Sequence, residues 1–379
     1  MSFVNNLRSL EAASRLKIVI EKLAEKAVRV VGEPVKIMNF CGTHEYTITY
    51  YGLRSLMPKS IELIPGPGCP VCVTPAWVID EAIRLSLDGV KIYVYGDLYK
   101  VPASPGGVRG ARSLEEARAL GGRVEITYSF LDAVKSALTD RAESVFIAVG
   151  FETTVPSTAT LIYNNRVPGN LKLLVAYRLT PPIMSYVFKV HRDNPVRGVI
   201  APGHVSTIIG ARAWSFVAED YGIPIVVSGF EPIDVLLSIA EILKQIVQGE
   251  AKLVNEYSRV ASWDGNREAQ RLINECYEEC KADWRGIGVV ENSGLKLREK
   301  YKQLDAAVEY GVKKGGGEEL PPGCRCSEVI LGLRKPVECP LFMKKCTPST
   351  PYGPCMVSSE GACSIWARYG GFIEGIELP

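Results

Sequence analysis

The feature that most limits the fold of this chain is an alternation running from about residue 35 to 245. Short β-branched runs, "VKIMNF", "SIELIP", "KIYVYG", "RVEITY", "SVFIAVG", "LKLLVAY", "VRGVIAP" and "IPIVVSG", are separated by helix-like stretches such as "PAWVIDEAIRLSL" and "FLDAVKSAL". Apolar strands joined through helices predict parallel sheets covered on both faces. The loop-rich "YKVPASPGGVRG" and a fresh start near Arg141 divide the runs into two similar α/β units, four strands each, with a cleft between them. The expected organisation is an N-terminal helix over 1–34, packing on the C-terminal part, then α/β domains over 35–140 and 141–249. Residues 250–379 follow as a helical linker and a Cys-rich domain.

"EPIDVLLSIAEILKQIVQG" predicts a long helix closed by Gly249 at C′. Beyond it "REAQRLINECYEECKADW" reads as helix and "KKGGGEELPPG" as linker. The tail has too little apolar periodicity to build a large core, so cross-links through a metal would have to supply what packing cannot.

At 379 residues the chain can hold two or three domains, and a formal net charge of +2 gives no basis for nucleic acid or an anionic membrane as the main partner. No apolar run reaches the length of a bilayer span, and the charged "LRSLEAASRLKIVIEKLAEKAVRV" reads as an amphipathic helix rather than a signal peptide. A cytoplasmic protein is expected.

Cysteine is the anomaly. The chain has 11, an odd number, in a length that needs no disulfide staples. Cys41, Cys69 and Cys72 lie near the front, six crowd between Cys324 and Cys363, and only Cys276 and Cys280 stand apart. Spaced i, i+4 on an expected helix, those two suit packing. "IPGPGCPVC" sets Cys69 and Cys72 at dithiol spacing in a loop stiffened by glycine and proline. Thr74 and Pro75 then suggest a helix cap and first turn. Both zinc and redox sites use C-x-x-C, so the spacing alone leaves both open. The six tail cysteines match neither the bacterial ferredoxin run nor a paired zinc ribbon. Four would suffice for an iron–sulfur cluster, leaving two for a disulfide.

Reactive residues collect at strand ends, where ligands bind in open parallel sheets. "VKIMNF" runs into Cys41, Thr43 and His44; "KIYVYG" ends at Asp97; "SVFIAVG" meets Glu152, Thr153 and Thr154; "VRGVIAP" meets His204 and Ser206; "IPIVVSG" meets Phe230 and Glu231. Taken singly, each is also what a capped strand-to-helix turn requires. Two of the three histidines, His44 and His204, fall in these turns, which points to a shared site, whereas His191 suits a structural role. Cys41 and His44 share one turn, close enough to bind one metal or to act as thiolate and base. A helix starting near Thr43 would lower the thiol's pKa.

Together "NFCGTHE", "IPGPGCPVC", "GFETT", "PGHVSTIIG" and "CTPSTPYGPCMVSSEGAC" resemble the HypD family of [NiFe]-hydrogenase maturation proteins, in order and over nearly the whole chain. The resemblance implies two α/β domains around a cleft and a third, iron–sulfur domain. It implies a scaffold on which iron, held at Cys41 with His44 nearby, receives two cyanides and one carbon monoxide. A small HypC-type chaperone and a HypE-type cyanide donor are the implied partners. It further implies a [4Fe–4S] cluster on Cys324, Cys339, Cys346 and Cys363, with Cys326 paired to Cys355 as redox thiols. Electrons would pass through that pair to Cys69 and Cys72, with Glu360 and Glu152 as proton or contact residues. Two other readings use the same residues: a zinc hydrolase built on Cys41, His44 and His204, and a free-standing iron–sulfur disulfide reductase.

Overall fold

The computed structural model describes residues 7–192, 195–315 and 318–370. All eight expected strands form, and they sort into two parallel sheets. One has the order β2–β1–β7–β8–β9, built from Val35–Asn39 (β1), Ile61–Pro65 (β2), Gly198–Pro202 (β7), Ile225–Ser228 (β8) and Leu253–Asn255 (β9). The other has the order β4–β3–β5–β6, from Lys91–Tyr95 (β3), Val124–Thr127 (β4), Ser144–Gly150 (β5) and Leu171–Tyr177 (β6). Every residue of β1, β5, β7 and β8 is buried, as strands covered on both faces must be.

The strands are not shared out in chain order. The first sheet takes two strands from before residue 66 and three from after residue 197, and the second sheet is an insertion between them. Arg141 therefore falls within the second sheet, between β4 and β5, not between the two sheets. Every segment here has the same local pattern, so periodicity gives no information on which strands pair.

The N-terminal helix, Leu10–Val31, lies on Pro232–Gln248 of the first sheet's helical layer rather than on the Cys-rich part. Its buried stripe of Ile20, Ala24 and Ala27 belongs to the same core as Ile239, Ile242 and Leu243. Two alanines at helical spacing let the two axes approach closely. Gly249 closes Pro232–Gln248 in the left-handed conformation (φ 66°), as expected.

After β9 the expected long helix stops early. Helix Arg267–Cys276 gives way to an antiparallel hairpin of Tyr277–Trp284 (β10) and Gly288–Leu297 (β11). Tertiary burial overrides helix propensity here: Tyr277 packs edge-on to Tyr177 and shares a hydrogen bond with Thr158 at 2.7 Å. Cys276 ends the helix, its thiol donating to Ala159 O, while Cys280 sits on a strand. Among the described residues no helix is long and apolar enough to cross a membrane.

Candidate sulfur-lined site

Register places the site. Asn39 of β1 pairs with Pro65 of β2 and Ile200 of β7, and Pro202 pairs with Ser228 of β8. Four strand ends thus release their following turns at one edge of the first sheet, carrying Cys41, Cys69, His204 and Phe230.

Cys41 occupies the N-cap position of helix Gly42–Tyr50. The dithiol loop is laid directly against it: Gly66 N donates to Asn39 O at 2.7 Å, and Gly42 N to Gly68 O at 3.2 Å. A Cβ on Gly68 would stand 2.5 Å from Cys41 N and 2.6 Å from Cys41 Cα, so only glycine fits there. Cys69 and Cys72 form a buried disulfide with Cα atoms 5.4 Å apart. The following helix begins at Ala76, with Pro75 as its N-cap. The Thr74 hydroxyl turns back to Pro70 O at 2.8 Å instead of capping.

The opposite wall comes from the tail. A Cβ on Gly42 would lie 2.6 Å from both Cβ and O of Glu360. Burial and the nearby Asp97 push the Glu360 carboxyl up to about 7. Asp97, just past β3, accepts from Ser358 Oγ at 3.3 Å and Ser359 Oγ at 3.2 Å. All three chain regions therefore meet at Cys41. Burial, with Glu360 adding to it, pushes the Cys41 thiol up to about 11 despite donors from Thr43 and His44. The lowered thiol expected from the helix N-terminus is overturned, because desolvation outweighs the helix end.

His44 and His204 do come together, both stacking on Phe230, at 4.6 and 3.9 Å between centroids. His44 Nε2 donates to Gly229 O at 2.9 Å, and burial holds the ring down near 4, so it is neutral with only Nδ1 free. Among the described residues no three His, Cys, Asp or Glu side chains converge on a single ion, Cys41, His44 and His204 included. The zinc-hydrolase geometry is not formed.

Other strand-end residues have structural partners. Ser206 is fully buried, donating to Pro202 O at 2.8 Å and accepting from Trp214 Nε1 at 2.8 Å, which removes it from the cleft lining. Glu152 accepts from Thr180 N at 2.7 Å and from the Thr180 hydroxyl at 3.1 Å. It lines a separate cavity of about 520 Å³ with Pro181, Gln270 and Arg298. Thr154 stands at the N-cap position of helix Val155–Tyr163 without a side-chain capping bond, and Thr153 is exposed. His191 Nε2 donates to Leu331 O at 2.7 Å, a tie between helix and tail.

In the tail, Cys324, Cys326, Cys339, Cys346 and Cys363 line one pocket with Leu341, Phe342 and Met356. A Cβ on Gly353 would come within 2.7 Å of Cys324 Sγ, so glycine keeps that wall open. Backbone N–H groups point at sulfur: Tyr352 N to Cys346 Sγ at 3.3 Å, Cys355 N to Cys326 Sγ at 3.2 Å, and Cys363 N to Cys355 Sγ at 3.3 Å. Cys355 stands behind the wall, and both it and Cys326 are free thiols. Five thiols facing one volume, the four expected to ligate a [4Fe–4S] cluster among them, fit sulfur ligation of such a group, and of those four Cys346 accepts a backbone N–H.

Sequence reasoning missed the joint between these parts. Glu45 is 2% exposed, and its carboxylate accepts from Trp366 Nε1 at 2.6 Å, Arg54 at 2.8 and 2.9 Å and Asn39 Nδ2 at 3.0 Å. It welds the Cys41 helix to the helix carrying Cys363. The one local signal was an acidic residue in a helix first turn, which ordinarily means a solvated cap.

Fold and site together define a class: a two-sheet α/β scaffold with one thiol set against a disulfide loop, backed by a cysteine-walled pocket. Residues 14–370 match the family model HypD, described as the hydrogenase formation hypA family. The chain is 44% identical over 355 residues to a putative hydrogenase expression/formation protein of Methanocaldococcus jannaschii, covering 92% of this chain and 95% of that one. It is 40% identical to the hydrogenase maturation factor HypD of Rhodobacter capsulatus (98% and 99% covered). The corresponding protein of Cupriavidus necator is 37% identical (98% of each). The chain belongs to the HypD family, and its role lies in hydrogenase maturation.

Proposed function

We propose that this chain holds an iron ion at Cys41 while cyanide and carbon monoxide are attached to it for a [NiFe]-hydrogenase. Electrons for that work pass along a line of thiols. Iron carrying such ligands must be electron-rich, and a soft thiolate suits it. The thiol of Cys41 loses its proton on binding the metal, and Glu360, held near 7 against Gly42, is placed to take it. The neutral His44 ring, oriented by its bond to Gly229 O, offers Nδ1 beside the same turn.

Converting the Cys69–Cys72 disulfide to a dithiol consumes two electrons and two protons. In this reading they come from Cys326 and Cys355, which become the disulfide in exchange. A cluster on Cys324, Cys339, Cys346 and Cys363 supplies electrons singly when bound. A HypC-type chaperone and a HypE-type cyanide donor complete the scheme, with a second cysteine on the chaperone sharing the iron.

The observation that carries this reading is the approach of Gly68 to Cys41, which sets the disulfide loop against the one partly exposed front thiol. Cys41→Ala in a strain lacking its own copy tests it. Hydrogenase maturation should be abolished while the purified protein stays brown. The alternative, a free-standing disulfide reductase, rests on the Cys326–Cys355 contact alone. It predicts that Cys41→Ala still turns over a thioredoxin-like substrate with no chaperone present.

A further inference from the structure

The hairpin of β10 and β11 packs against β6 and borders a cavity of about 350 Å³. Its wall carries Trp77, Arg178, Cys280, Lys281, Lys296 and Lys314. Arg178, the residue after β6, is only 4% exposed. Its Nε and Nη2 donate to Asp283 O at 2.9 and 2.7 Å, and its Nη1 to Tyr177 O at 2.9 Å. All three acceptors are neutral main-chain carbonyls, whereas a buried guanidinium is seldom left without an anion. Burial pulls its pKa down to about 10, as expected of a charge with no close counter-ion.

The rest of the wall is short of acceptors in the same way. Trp77 is 7% exposed, and its indole N–H is buried with no acceptor among the described residues. A buried donor left open like this is one that a ligand can satisfy. Lys281 and Lys314 are exposed and form no ion pair among the described residues, whereas Lys296 is tied to Glu278 at 2.9 Å. Asp283 and Asp305 share the wall, so four cations face two carboxylates, and Asp305 is occupied by Ala307 N at 2.8 Å. The ladder between β10 and β11 breaks here: Cys280 pairs with Gly294, but Ala282 pairs with Val290. A Cβ on Gly294 would lie 2.6 Å from Ala282 Cβ and 3.5 Å from Cys280 Sγ, so glycine keeps that wall open.

We propose that this cavity is a binding site for a small organic carboxylate, its acid group on Arg178 and the Trp77 N–H and its apolar body against Leu174 and Val289. A guanidinium has five N–H donors, of which the three carbonyl bonds leave two, and its planar fork matches a carboxylate. The two unpaired lysines draw anions to the mouth. The volume lies near the lower end for ligand pockets, about 300–1,000 Å³, which suits a molecule of about one ring. The site is independent of iron assembly and of the thiol relay, and uses no cysteine assigned to either.

The full chain, purified anaerobically, is titrated into para-fluorobenzoate and, separately, into the neutral para-fluorobenzamide, with binding read from fluorine NMR line widths. The acid should bind at least about tenfold more tightly than the amide, because a charged partner for a buried cation roughly doubles a hydrogen bond's strength. Equal affinities overturn the proposal. Lys281→Gln combined with Lys314→Gln, both at exposed positions, should weaken the acid at least about threefold and leave the amide unchanged. Trp77→Phe, which keeps a ring and removes the donor, should also weaken the acid at least about threefold. An acid affinity untouched by the lysine pair or by a folded Trp77→Phe chain places the binding elsewhere and overturns the proposal. Should Trp77→Phe not fold, the lysine pair alone decides.

Discussion

The indole Nε1 of Trp366 donates to the buried carboxylate of Glu45 at 2.6 Å, joining residues 321 positions apart. Arg54, stacked 4.7 Å over the same indole, closes the contact from above. One end of this joint is a turn from Cys41 and the other three residues from Cys363, so the joint ties the front thiol to the cysteine pocket. Trp366→Phe keeps the ring and removes the donor. Leaving one bond of a buried carboxylate unmade should cost about 1–3 kcal/mol, seen as a lower midpoint in urea unfolding. Unchanged stability would mean that this bond contributes nothing to holding the two helices together.

Gly68→Ala probes the closest approach in the site. The added methyl would stand 2.5 Å from Cys41 N, against backbone that has nowhere to go. The expected outcome is a folded protein that keeps its tail cofactor but fails in hydrogenase maturation, checked by metal analysis beside a maturation assay. Full maturation by this variant would show that the loop need not touch Cys41.

The tail cysteines should divide into two sets. Serine at Cys324, Cys339, Cys346 or Cys363 should remove the broad absorbance of a cluster and its iron, of about four per chain. Serine at Cys355, which stands outside the pocket wall, should leave both in place. Loss of iron from the Cys355 variant would exchange the roles of the two sets.

Glu152 gives a pH prediction away from the metal site. Burial raises its carboxyl from 4.5 to about 7 in the folded chain. The folded state therefore holds a proton that the unfolded state has released. Stability from this group is full below about pH 4.5 and is lost as the pH rises through about 7. Glu152→Gln can still accept from Thr180 N and never ionises. It should exceed the parent by about 3–4 kcal/mol at pH 8, a shift of that size converted at ~1.4 kcal/mol per unit, and the gap should close below pH 5. Thermal melts at the two pH values read this directly; a gap independent of pH would contradict the assignment.

Much of this was legible in the chain itself. Eight strands and the long helix to Gly249 follow from β-branched runs and from period-3.6 patterning, because burial on both faces of a parallel sheet leaves a strong local signature. The motif residues at strand ends were visible for the same reason. What stayed hidden depends on long-range partners. Nothing in "VKIMNF" says that it pairs with "VRGVIAP", and β9, three residues at a sheet edge, has no pattern of its own. Strand β10 looks helical until Tyr277 finds Tyr177. The burial of Glu45 is not legible locally, since it is decided by Trp366, 321 positions away. Cys41 shows the limit for chemistry too: the helix start was legible, but the burial that reverses its effect on the thiol was not.

Infrared spectroscopy on the chain copurified anaerobically with the small chaperone proposed above bears most directly on the proposal that iron is assembled at Cys41. Cyanide and carbonyl stretches should be present in the parent complex and missing from Cys41→Ala, whose cluster absorbance remains. Persistence of those bands in the variant would contradict the account, because the ligated iron would then sit elsewhere.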